Sequence, residues 1–215
     1  MSHHIVILAQ GDQHRLAGLG HPKHLLAISD TETIIGRTFR QLGEHFPGAK
    51  VILVCDGAPI WKPYTPAEVE MVTLAPATCL CQRIWQTTPL WGDGTTLLLG
   101  DVAFSHRALE RLSIANRLTF IGRRGENRVT GCAYGELFGL TAPFLEDRIA
   151  LRDALRPSLW AFTPGRLWDL LDLFNYDDPL VDLGPNDYTD DIDSPHEIEE
   201  ALPRLRAAVA RDDAK

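Results

Sequence analysis

Apolar positions in this chain fall into short blocks separated by polar, glycine-containing joins. The block HIVILA (4–9) is β-branched and uninterrupted and runs out at a glycine, the pattern of a buried strand. KVILVC (50–55), TTLLLGD (95–101) and RLTFIGR (117–123) read the same way, and EVEMVTL (68–74) is a strand with clearer alternation. GCAYGELFGLT (131–141) predicts a longer strand, bent or bulged at its internal glycines. Between these blocks the period lengthens. Ile34, Ile35, Thr38, Phe39 and Leu42 recur at helical spacing and predict an amphipathic helix over 32–45. A second helix is expected over 77–87, and Ser105 can N-cap a third whose inner face is Ala108, Leu109 and Leu112. Thr163 and Pro164 are placed to open another, with a stripe of Leu167, Trp168, Leu171 and Phe174. Ser194, Pro195 and Glu197 form a capping box for the last helix, which Pro203 is expected to kink or interrupt.

Strands alternate with helices through the first 120 residues, the pattern of a mostly parallel sheet covered on both faces. The stretch 120–190 departs from it, with longer strands and proline-rich joins, and reads as an inserted or appended half, not as a separate domain. The fold class is therefore α/β: a three-layer α/β/α sandwich on a mixed, mostly parallel sheet, Rossmann-like in its N-terminal half. The 215 residues read as a single domain, 1–215, long enough for a real core.

Charge narrows the partners. The formal net charge is −8 and the pI about 5.4, which argues against nucleic acid and anionic membranes as partners. A local basic pocket for a small anion remains compatible with it. Cys55, Cys79, Cys81 and Cys132 are too few and too scattered for a disulfide scaffold, and the Cys79–Cys81 pair lacks the second pair a zinc site needs. Buried reduced thiols are expected, in a cytoplasmic protein. No apolar run approaches the ~18 residues of a membrane helix, and Ile5–Ala9 is short for a signal peptide. Oligomeric state is left open.

Three features map to the carboxyl ends of strands, where open parallel sheets bind ligands. The loop 10–24 carries Gly11, Arg15 and Lys23, able to cradle a phosphate with backbone amides and two cations, or to be an exposed basic loop. Asp101 ends an apolar strand, as a metal ligand or as a helix cap. In TDDIDSP, Asp191 and Asp193 point the same way in extended chain while Asp190 faces the other side. Such a pair suits Mg²⁺ shared with substrate phosphates, or belongs to a solvated acidic loop before a helix.

In this order, ILAQGDQHRL, PK, LLLGD and DIDSPHE resemble the nucleotidyltransferases of the GT-A-like fold, which include sugar-phosphate, phosphocholine and molybdopterin nucleotidyltransferases. PKHLL, YGELFGL and YTDDIDSP are similar to a phage and bacterial branch of that superfamily. The resemblance implies transfer of a nucleotidyl group from an NTP to a small phosphorylated acceptor, with Mg²⁺ as cofactor and pyrophosphate released. Residues 1–120 would be the nucleotide-binding half, and 121–215 the acceptor side with the C-terminal helix. Leu8, Ala9, Gln10, Gly11, Asp12 and Gln13 would line the nucleotide, Arg15 and Lys23 would act on its phosphates, and Asp101 and Asp193 would hold the metal. Gln10 and Gln13 depart from the family's small residues; Gln10 is read as a contact to base or ribose. Glu136, Arg123 and Asp191 are acceptor-side candidates, with an ion pair for Glu136 and a surface pair for Arg123 and Arg124 as the structural alternatives. His21 and His24 read as local charge or hydrogen bonds, and the five tryptophans as packing. A glycosyltransferase using a nucleotide-sugar would be expected to show DxD where this chain has GDVAF, and a non-catalytic nucleotide-binding module is the other alternative.

Overall fold

The computed structural model describes residues 2–10, 21–56, 59–156, 165–174 and 178–214. Strands β1 (His3–Leu8), β2 (Lys50–Val54), β3 (Glu70–Val72), β4 (Gly94–Leu99), β5 (Thr119–Arg123), β6 (Glu136–Ala142) and β7 (Leu180–Asp182) form one sheet. Their order is β3-β2-β1-β4-β6-β5-β7. Within it β6 alone is antiparallel to its two neighbours, β4 and β5. The strands of the second half therefore extend the sheet built by the first.

The apolar strands are hydrophobic on both faces because both are covered. Ile5 and Ile7 of β1 point into a cluster with α1 (Ile34–His45) and α3 (His106–Ser113). Val6 and Leu8 point the other way, toward α2 (Leu80–Gln86), α4 (Leu145–Ala154) and α5 (Leu167–Asp172). The result is the expected three-layer α/β/α sandwich. A third cluster packs α6 (Pro195–Asp212) on Leu26, Ile28, Ile34 and Tyr188. None of the helices in the described residues is long and apolar enough to cross a membrane.

Thr33 and Ser105 accept from the backbone amides of Gly36 and Ala108, at 3.1 and 3.0 Å. Ser194 and Glu197 form the reciprocal box. Two expectations are corrected. Pro203 does not interrupt α6: its buried face of Ala201, Leu202, Leu205, Ala208 and Val209 carries the helix through. The strand expected over 131–141 begins only at Glu136. Gly131 lies at φ +91 in the preceding turn, and a Cβ on Gly135 would meet the Arg123 carbonyl at 2.5 Å. The predicted irregularity does exist, as a register shift at Ile121/Gly122 opposite Leu137–Gly139. The Thr163–Pro164 helix start lies outside the described residues.

Reduced thiols are found at all four cysteines, with Cys55 and Cys81 buried and Cys79 and Cys132 half-buried. The CxC has a local explanation. Cys79 Sγ caps α2 by accepting from the Gln82 amide, while Cys81 Sγ donates to the Arg166 carbonyl.

Candidate active site

The carboxyl edge of the sheet gathers the sequence motifs. At the end of β1, Leu8 and Ala9 are buried, and the Ala9 amide donates to the Val54 carbonyl at 2.8 Å. Gln10 follows, and both ends of its side-chain amide are taken up by the backbone of Leu74. Its Nε2 donates to the carbonyl at 2.9 Å, and its Oε1 accepts from the N–H at 3.0 Å. Gln10 thus splices the edge beyond β3 to the exit of β1. Gly11, Asp12, Gln13 and Arg15 lie outside the described residues.

Lys23 opens a single 3-10 turn, Lys23–Leu25, whose other two residues are buried. His24 inserts edge-on against Trp61, with ring centroids 5.2 Å apart. Burial outweighs the pull of Asp101 there and lowers the imidazole pKa to about 4. His24 is therefore a buried anchor, and of the two roles read for it, local charge or hydrogen bonds, burial disfavours the charge. Its anchoring fixes where Lys23 emerges. Gly100 makes room for this arrangement: a Cβ there would lie 2.9 Å from Ala9 Cβ and 3.1 Å from His24 Cδ2.

The acidic segment arrives through an isolated bridge. The Ala103 amide donates to the Asp190 carbonyl at 2.9 Å, and the Asp190 amide to the Ala103 carbonyl at 3.4 Å. This lays 190–193 alongside the exit of β4. Period-two geometry then holds as expected. Asp191 and Asp193 face Asp101, and their carboxylate oxygens lie within 4.8 Å of one another. Lys23 Nζ enters the same cluster, 2.6 Å from Asp101 and 3.6 Å from Asp191, and it also donates to Asp193. Burial disfavours the ammonium, but the three carboxylates more than offset this and hold its proton above the usual lysine range. Asp191 is pushed the other way for an acid. Burial, then the charge of Asp101, raises its carboxyl well above normal.

Asp190 faces the opposite side, into the protein. It accepts from Asn127 at 3.1 Å, from Thr130 and from Arg123 at 3.3 Å. Arg123 is itself 1% exposed, donates to the carbonyls of Gly125 and Thr189 at 3.0 Å each, and lies over the Phe138 ring. The surface arginine pair is thereby corrected: only Arg124 is exposed, paired with Asp178 at 2.8 Å. Buried Arg123 and buried Asp190 form an ion pair whose arginine keeps further hydrogen-bond partners in the Gly125 and Thr189 carbonyls. Glu136 reaches the same guanidinium at 3.5 Å. Because β6 is antiparallel, its first residue lies on the edge where the other strands end. Burial, then the nearby Asp191, raises the Glu136 carboxyl strongly. Asn127 and Thr130 carry no sequence signal. They join the site only because the turn they occupy folds beneath Asp190.

Between β4, β6 and α5 a cavity of about 270 Å³ opens beside the cluster. Leu99, Val102, Phe138 and Trp168 line its apolar wall, and Glu136 and Asp191 its polar end. Trp61 is packing, as expected, whereas Trp168 has a face on this cavity.

Among solved structures, a Bacillus anthracis protein provisionally assigned as a glucose-1-phosphate thymidylyltransferase, crystallised with sucrose, superposes with a TM-score of 0.70. The match covers 95% of this chain and 96% of that one, at 13% identity. The two chains share one fold over nearly their whole lengths. A second match is a Mycobacterium sp. strain JC1 homologue of a Mycobacterium tuberculosis protein, with a TM-score of 0.61, 22% identity and 97% coverage of both chains. No family model matches the sequence, and no curated protein does.

The carboxylates suit a hard divalent cation. Asp101, Asp191 and Asp193 offer one oxygen each within a common 4.8 Å sphere. Burial, then the charge of Asp101, raises the Asp191 carboxyl, and a cation beside it would favour its ionised form. All-oxygen ligation of this kind fits Mg²⁺, which binds through few carboxylates and keeps sites for water and phosphate oxygens.

Proposed function

We propose that this protein is a Mg²⁺-dependent nucleotidyltransferase that moves an NMP group from an NTP to a small phosphorylated acceptor. The observation that carries this reading is the convergence of Lys23 with Asp101, Asp191 and Asp193 at the carboxyl edge of a nucleotidyltransferase-like sheet.

In the proposed reaction an acceptor phosphate oxygen attacks the α-phosphorus of the NTP. The new P–O bond forms as the bond to the β-phosphate bridging oxygen breaks, and pyrophosphate leaves with that electron pair. The acceptor phosphate is already anionic, so the site needs in-line placement and charge neutralisation more than a general base. Mg²⁺, held by Asp101 and Asp193 with Asp191 beside them, would supply positive charge to the phosphate oxygens. Lys23 would neutralise charge growing on the α-phosphoryl group. Leu8, Ala9 and the Gly11 loop with Asp12, Gln13 and Arg15 would receive the nucleotide, while Gln10 acts indirectly by fixing the backbone at Leu74. The acceptor would enter the cavity between β6 and α5, where Glu136 and Asp191 form the polar end. Arg123 would support that wall from beneath without touching the acceptor.

The test is pyrophosphate release from each of the four NTPs with a panel of sugar and alcohol phosphates, with and without Mg²⁺. Release should require both substrates and the metal, and fall away in Lys23→Ala and Asp101→Ala. Activity unchanged in both variants would overturn the assignment.

A further inference from the structure

Far along the chain from the proposed nucleotide loop, the end of α1 and the start of α3 bring together groups of a different chemistry. His45 Nε2 and His106 Nδ1 lie 3.0 Å apart, and Glu44 Oε2 is 3.5 Å from the same His106 nitrogen. One ligand atom from each of the three falls within 4.8 Å of the others. We propose that Glu44, His45 and His106 form a second metal site, selective for Zn²⁺ or a similar transition ion, that clamps α1 to α3.

Three features carry this. The first is spacing. An ion about 2.0–2.1 Å from each atom would see the two nitrogens at about 95° and the nitrogen–oxygen pair at about 115°, within the range of four- and five-coordinate zinc. The second is support behind the ligands. His106 Nε2, the nitrogen facing away, lies 3.4 Å from Asp213 Oδ1, the usual arrangement of a metal-bound imidazole. The oxygen of Glu44 facing away accepts from Arg40 Nη1 at 3.1 Å. That arginine is in turn held by Glu32 at 2.6 Å. Both supports orient the converging atoms, and the proton that the two imidazoles share across their hydrogen bond would have to move to the far nitrogen of His45 when an ion binds. The third is accessibility with selectivity. Glu44, His106 and Asp213 border one open groove, so an ion and a completing water can reach the site. Two imidazoles and one carboxylate suit Zn²⁺, whereas Mg²⁺ prefers the all-oxygen cluster at the other site.

This site does not depend on the proposed reaction. The test is calorimetric titration of Zn²⁺ into the 215-residue chain stripped of transition metals, with millimolar Mg²⁺ present to occupy the aspartate cluster. One equivalent should bind and raise the thermal midpoint by mass action. His45→Gln and His106→Gln should each abolish this binding, and Glu44→Gln, altering a side chain 46% exposed, should weaken it without disturbing the fold. Asp213→Asn should weaken it roughly 10–100-fold through the ligand it orients. Asp101→Asn should leave it intact. Failure to bind near one equivalent, binding that persists in the histidine and Glu44 variants, or loss confined to Asp101→Asn would overturn the proposal and leave the two imidazoles as a hydrogen-bonded pair.

Discussion

Lys23 Nζ lies 2.6 Å from Asp101 Oδ2, joining the turn that follows the first loop to the exit of the central strand. The contact spans the sheet edge, and the ammonium answers three carboxylates at once. Replacing it should therefore affect chemistry before fold. Lys23→Ala is expected to reduce turnover on the order of 10²-fold or more, as removal of one donor to transition-state charge does. Circular dichroism should remain native, and steady-state kinetics in the pyrophosphate assay gives the number. A loss confined to KM would show that Lys23 only binds.

Glu136→Gln is expected to stabilise the metal-free protein. The folded carboxyl holds its proton well above the usual glutamate range, mainly through burial and then through Asp191. Across neutral pH the unfolded chain is ionised there while the native state is not. Stability is thus fullest below the unfolded pKa and declines as pH rises. Gln removes the penalty, and thermal midpoints at pH 5 and pH 8 should differ less in the variant than in the parent. A variant less stable than the parent at pH 8 would refute this.

His24 has the opposite sign. Its folded pKa is depressed from 6.5 to about 4, so its contribution is complete above pH ~6.5 and is lost as pH falls toward 4. His24→Leu should flatten urea-derived stability over that window. It should also loosen the packing on Trp61 and, through the adjoining Lys23, slow the reaction. An unaltered acid limb would mean that other groups carry it.

Removing Arg123 leaves Asp190 buried with no counter-charge. Arg123→Met should cost about 3–5 kcal/mol, the range for breaking a buried ion pair from one side. Adding Asp190→Asn should recover part of that loss, and denaturant titrations of the two single variants and the double would close the cycle. Strict additivity would show that the pair is not coupled.

Much of this was written locally. Uninterrupted apolar runs named β1, β2, β4 and β5, because a strand covered on both faces has few polar positions to alternate. Ser105 and Ser194 marked helix starts through hydrogen bonds made within three residues; the Thr33 cap was legible only in the structure. The period of two put Asp191 and Asp193 together and turned Asp190 away.

What the chain by itself could not determine is which distant segments meet. Lys23 and Asp193 are 170 positions apart, and the Ala103–Asp190 bridge that aligns them has no local signature. The antiparallel insertion of β6 between β4 and β5 decided that Glu136 lies at the site's edge. The charge states of His24 and Asp191, and the burial of Arg123 under Asp190, follow from desolvation and from partners supplied by other elements. Periodicity reports which face of an element is apolar; it does not say what will cover that face, and here the covering fixed the electrostatics.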